Sequence, residues 1–185
     1  MTDTVTGNGR HPAAPRTRIA PPRDEPIPRP VTFLVQALAP EPFAPLFALD
    51  EAALAARRAR LLVADESPGY PCRVSLADAA VGERLLLVHF EHQPADTPYR
   101  ASHAIFVREG AARATPAPGE VPDALASRLL SVRAFGPDHF LREADAVDGS
   151  GLAALADRLL DDPATAYLHV HHARQGCYAA RVMRT

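Results

Sequence analysis

A chain of 185 residues, 47% apolar and 23% charged, is long enough to bury a sizeable core without cross-links. Its net charge of -2 argues against an electrostatic footprint on nucleic acid or an anionic membrane, and no apolar run is long enough for a membrane helix. All 20 basic residues are arginine; without lysine, Schiff-base chemistry, pyridoxal-phosphate anchoring, P-loops and kinase-type ATP sites are excluded.

Residues 1–30 hold seven prolines and five arginines but almost no large apolar side chain, so they read as a disordered Pro/Arg-rich tail. Such a tail can dock to a protein partner in the polyproline II conformation. Residues 31–185 read as a single globular α+β domain. "VTFLVQAL" is the first strand. Asp50 is placed to cap a helix through "EAALAARR", and "RLLVA" is the second strand. "DESPGYP" is a turn region and "CRVSL" a short extended piece. "RLLLVHFEH" holds a nearly continuous apolar run, which predicts a central strand. "HAIFVRE" follows a loop, then "PDALASRLL" as a short helix running into "LSVRAF". "GPDH" turns the chain into "FLREADAVD", an antiparallel partner. In "GSGLAALADRLLDDP", Ser150 is the expected N-cap and Leu152, Leu155, Leu159 and Leu160 form an apolar stripe that Pro163 ends. The expected fold is therefore α+β: a largely antiparallel sheet of about six to eight strands, two or three helices and a C-terminal β-hairpin.

That hairpin, "YLHVHHARQGCYAARV", concentrates the chemistry. If "AYLHVHHA" is a strand, Leu168, Val170 and His172 share one face while Tyr167, His169 and His171 share the other. A three-residue loop Arg174-Gln175-Gly176, with the glycine left-handed, pairs Ala173 with Cys177 and His169 with Arg181. Cys177 then lies beside His171 on the histidine face. A two- or four-residue loop puts Tyr178 there instead.

Three readings of this face stay open. Its side chains can be partly buried sheet residues with satisfied hydrogen bonds. They can form a metal-free polar site in which His171 activates Cys177 as a nucleophile. They can also start a divalent metal site from His169 and His171, with His103, Cys177, His89 or Glu91 as third ligand. No cofactor is otherwise identifiable. The arginine candidates are Arg73 in "PGYPCRVSL", Arg100 with Tyr99 in "TPYRASHAIF", and Arg133 between apolar neighbours in "SVRAF". A buried arginine is ordinarily paired, either with a protein carboxylate such as Glu83 or with an anionic ligand.

"PGYPCRVSL", "GERLLLVHFEHQPADTPYRASHAIFVREG", "LLSVRAF" and "AYLHVHHARQGCYAARV" together resemble the bacterial family known as domain of unknown function 1203, over Val31 to Arg184. His172 departs from the family pattern, where Asn commonly follows the His-x-His pair. The resemblance supports the domain boundaries and the grouping of candidates and implies no reaction. The composition, rich in Ala, Arg and Pro with no Lys, also suits a GC-rich bacterial genome. With two cysteines and no apolar leader at the N-terminus, the cytoplasm is the expected location.

The leading expectation is an enzyme acting on a small anionic metabolite, a carboxylate or phosphate. His169, His171, His103 and Cys177 are its candidate catalytic groups; Arg73, Tyr99, Arg100, Arg133 and Tyr178 are its candidate substrate contacts. The alternatives are a non-catalytic ligand-binding or sensor domain built on the same pocket, and an interaction protein that uses the tail.

Overall fold

The strands divide between two antiparallel sheets, and the C-terminal hairpin lies inside the larger one. The computed structural model describes residues 32–185; the tail expected over residues 1–30, and Val31, lie outside the described residues. The five-stranded sheet runs in the order β1 (Phe33–Gln36), β8 (Tyr178–Arg184), β7 (Tyr167–His172), β5 (Leu129–Phe135), β6 (Leu141–Asp148). The three-stranded sheet is β2 (Ala59–Val63), β3 (Arg84–Gln93), β4 (Ala101–Arg108), with the apolar β3 in the middle as its composition predicts. Three helices complete the α+β fold: α1 (Glu51–Ala56), α2 (Asp123–Ala126) and α3 (Leu152–Asp161). Among the described residues no helix is long and apolar enough to cross a membrane.

α3 forms because its leucines repeat at helical spacing, and Leu152, Leu155, Leu159 and Leu160 are all buried. They cover the face of the larger sheet that carries Leu130, Val132, Leu168, Val170, Ala180 and Val182. Full burial of each such side chain is worth about 1.5–3 kcal/mol, so this layer is the main cohesive element. The helix does not start as the sequence suggests. Ser150 sits in a 3-10 turn, Gly149–Gly151, and the cap position falls to Gly151 with no side-chain bond. The reason is close packing against α2: a Cβ on Gly149 would lie 2.0 Å from the Leu125 carbonyl oxygen. Asp50 does cap α1, accepting from the Ala53 N–H at 2.8 Å.

A second apolar cluster joins Phe43, Leu54, Val74, Leu86, Val88, Ile105 and Val107 under the smaller sheet. "CRVSL" is not an extended piece. Only Cys72 bridges to Phe106; the chain then turns, with the Leu76 N–H on the Cys72 carbonyl at 2.9 Å and Leu76 at φ 52°. This turn brings Arg73 under β8.

Candidate functional site

The histidine face of β7 is set by register. His169 pairs with Arg133 on β5 and with Arg181 on β8, while His171 pairs with Ser131 and with Tyr178. Cross-strand partners share a face, so Arg133, Arg181 and Tyr178 join the two histidines. Against them stands the end of β3. There the register shifts between Glu91, opposite Ser102, and Gln93, opposite Ala101, which leaves His92 as an extra residue. Such a bulge re-aims side chains. It lets His92 and Gln93 both reach the larger sheet: the Gln93 side-chain N–H donates to the Tyr167 hydroxyl at 2.6 Å.

The His92 ring is stacked on His103 at 4.7 Å between centroids and on Tyr178 at 4.8 Å. His169 and His171 meet it edge-on at 5.3 and 5.2 Å. One ligand nitrogen from each of His92, His169 and His171 lies within 4.8 Å of the others. These nitrogens lack protein partners. Both nitrogens of His92, Nδ1 of His169 and Nε2 of His171 are buried without a hydrogen bond, as is Nδ1 of His103. The His171 Nδ1–H donates to the Gly176 carbonyl at 3.2 Å, which leaves Nε2 as the lone-pair nitrogen and orients the ring.

Burial is the main force on these rings. It pushes His92 down to about 4, with His103 and Arg133 adding repulsion, and His169 down to about 2, with His92 and His171 adding to it. His171 falls to about 3 through burial and Arg133, and His103 is lowered for the same two reasons. All are neutral near pH 7, the state in which imidazole binds a metal. Arg133 pairs with no carboxylate among the described residues, and its charge disfavours protonation of four rings, His92, His103, His169 and His171. Arg181 lies over the Tyr167 ring, 4.0 Å from its centroid.

The expected place of Cys177 is corrected. The loop has four residues, Ala173 to Gly176, closed by the His172 N–H on the Cys177 carbonyl at 3.0 Å. Gly176 takes φ 73° as a left-handed turn requires, but one residue later in the pairing than expected. A bulge between Val170 and His171 then restores the expected pairing of His169 with Arg181. Tyr178 therefore takes the position beside His171, and Cys177 lies on the far side with Arg73 and His172. Arg73 has no carboxylate partner among the described residues; Glu83 is bonded to Arg108 instead, at 2.7 Å.

The structure brings His169, His171, His103, Arg133 and Tyr178 together and leaves other candidates outside. Arg100 is exposed and paired with Glu91 at 2.6 Å, so neither reaches the cluster. Tyr99 is exposed on the loop, against the edges of Phe135 and Phe140. His89 is exposed on the outer face of β3, opposite Ala104. The third nitrogen beside those of His169 and His171 comes from His92, which the alternation of "HFEH" conceals. Tyr167 and Arg181, placed by the sequence on the histidine face without a role, and His139 border the cluster. His139, at φ 62°, brings Nδ1 within hydrogen-bond distance, 2.9 Å, of the Tyr167 hydroxyl that also accepts from Gln93.

A family model described as "Protein of unknown function (DUF1203)" matches residues 69–184, a span that contains every residue of the cluster. No curated protein and no solved structure matches the chain.

Proposed function

The chain belongs to the DUF1203 family, and we propose that it is a metal-dependent enzyme acting on a small anionic substrate, with His92, His169 and His171 as ligands. The observation that carries this reading is the convergence of three neutral imidazoles from two sheets, each with an unpartnered buried nitrogen and with ligand atoms within 4.8 Å of one another. A buried polar atom left unsatisfied costs about 1–3 kcal/mol, and a fold of this size has only about 5–15 kcal/mol of net stability. Four such nitrogens lie on the three ligand rings, and ligation through one nitrogen of each ring relieves three of them.

Ligands on a tetrahedral zinc at about 2.1 Å are roughly 3.4 Å apart, so small ring rotations close the remaining gap. Three protein ligands leave a position open, the pattern of catalytic rather than structural sites. A divalent metal held there supplies Lewis acidity toward a substrate oxygen. Arg133 is placed to clamp the substrate's carboxylate or phosphate, and half-buried His103, stacked on His92, is the nearest group able to exchange a proton.

A second reading is favoured by the two guanidiniums. Arg133 and Arg181 repel a cation, and the same donors form a metal-free anion site, suited to a sensor or binding domain. The tail-docking reading rests on residues outside those described.

Calorimetric titration with zinc or manganese, in parallel with phosphate and small carboxylates on chelator-treated protein, separates the two. The metal reading expects one ion per chain, a raised melting temperature and at least a ~100-fold loss of affinity in His171→Ala. No metal uptake, with undiminished anion binding in chelator, decides for the second.

A further inference from the structure

On the other side of the hairpin turn lies a cleft of about 280 Å3, lined by Pro68, Pro71, Arg73, His172, Gln175 and Cys177 among others. The Cys177 side chain is partly exposed into it. Its sulfur accepts an N–H from Arg73 Nη2 at 3.0 Å. Arg73 is only 2% exposed, and its remaining bonds go to the backbone carbonyls of Pro71 and Tyr178. A buried guanidinium is ordinarily matched by an anion. Among the hydrogen-bond partners of Arg73, the Cys177 sulfur is the one able to take on negative charge. His172, 3% exposed, lines the same cleft with its Nδ1 unpartnered. The other guanidinium there, Arg128, is already held by both oxygens of Asp78 at 2.7 and 2.9 Å.

Cys72 makes the contrast. It is buried in the apolar cluster, and its sulfur accepts only backbone N–H groups, from Ser75 at 3.4 Å and Arg108 at 3.3 Å. It has packing and no charged donor.

We propose that Cys177 is a nucleophilic thiol whose cleft admits small hydroperoxides, which oxidise it to a sulfenic acid. A sulfur lone pair attacks one peroxide oxygen, forming S–O and breaking O–O. Sulfur loses two electrons, the peroxide is reduced, and the thiol proton ends on the departing oxygen, so Cys–SH and ROOH give Cys–SOH and ROH. Arg73 steadies the charge that passes from sulfur to that oxygen. His172 and Gln175 supply polar groups on the cleft wall, and an external thiol restores the cysteine. Nothing in this step involves the histidine cluster, so it stands or falls apart from the metal reading.

The test treats the full chain at pH 7, in chelator, with equimolar hydrogen peroxide or tert-butyl hydroperoxide. Sulfenic acid is trapped with dimedone and located by peptide mass spectrometry, in folded protein and in protein unfolded by urea. Cys177 is expected to react at least ~10-fold faster folded than unfolded, and Cys72 to stay unlabelled until unfolding. Arg73→Lys, which keeps a cation but loses the bond geometry, is expected to slow Cys177 about fivefold or more while the fold, checked by circular dichroism, persists. A folded-state rate no greater than the unfolded rate overturns the proposal. That rate comparison uses the natural chain, so it decides the matter even if Arg73→Lys fails to fold.

Discussion

The two faces of the five-stranded sheet are made by the same strands and are buried alike, yet they do opposite things. Toward α3, Leu130, Val132, Leu168, Val170 and Val182 close on leucines with nothing polar to satisfy. Toward the three-stranded sheet, Arg133, His169, His171, Tyr178 and Arg181 carry polar atoms, several of them without partners. The first face gains free energy by burial and the second forgoes it. A fold tolerates such a face where a ligand makes up the difference.

Acid should separate the two faces most strongly. His92, His169 and His171 are held at about 4, 2 and 3 in the folded chain, against an ordinary 6.5, with burial the first cause in each. Their folded values are depressed, so the unfolded chain takes up protons first. Stability from these rings is fully present above pH 6.5 and is lost as pH falls through the folded values, down to about 4 for His92, 3 for His171 and 2 for His169, by up to about 1.4 kcal/mol per pH unit for each ring. Urea midpoints of chelator-treated protein between pH 7.5 and 5 should fall steeply. A flat profile means the rings are already solvated, and the contrast between the faces is gone. Saturating metal should flatten the upper part of the profile, because ligation competes with protonation.

Next in size is a cavity on the apolar face. Leu159→Ala should cost about 2–5 kcal/mol and leave metal stoichiometry at one per folded chain, since α3 packs on the Leu168 and Val170 face of β7, opposite His169 and His171. Denaturation and metal analysis on the same preparation read both. Lost stoichiometry in still-folded protein would couple the faces and remove the contrast between them.

How much of this was legible follows from which quantities are local. The face division of β7 depends only on alternation, so His169 and His171 could be read together and His172 apart. Arg133 could be read because a guanidinium between Val132 and Ala134 needs a partner. The loop length of the hairpin was not legible: Gly176 fits a three- or four-residue turn equally, and one residue decides whether Cys177 or Tyr178 meets the histidines. Nor was His92, because a bulge breaks the alternation that would place it, and its partners come from a distant strand pair. The available hint was its position two residues before Pro94, where a strand that must end often carries an irregularity. The split into two sheets rests on the same long-range pairing.

The smallest expected stability effect makes the sharpest test. His92→Phe keeps a flat ring of similar volume between His103 and Tyr178 and removes two buried, unpartnered nitrogens. Replacing an unsatisfied polar group by an apolar one of the same shape is close to neutral or stabilising. Metal-free His92→Phe should therefore unfold within about 1 kcal/mol of the natural chain, or above it, while losing one of three ligands and with it most of its zinc affinity. A ring kept for packing predicts no change in metal binding. A ring kept for a structural hydrogen bond predicts a loss of stability in chelator. Unchanged metal-free stability with lost zinc binding is the one result that assigns this face to a ligand, because an apolar-face substitution such as Leu159→Ala should show the reverse pair.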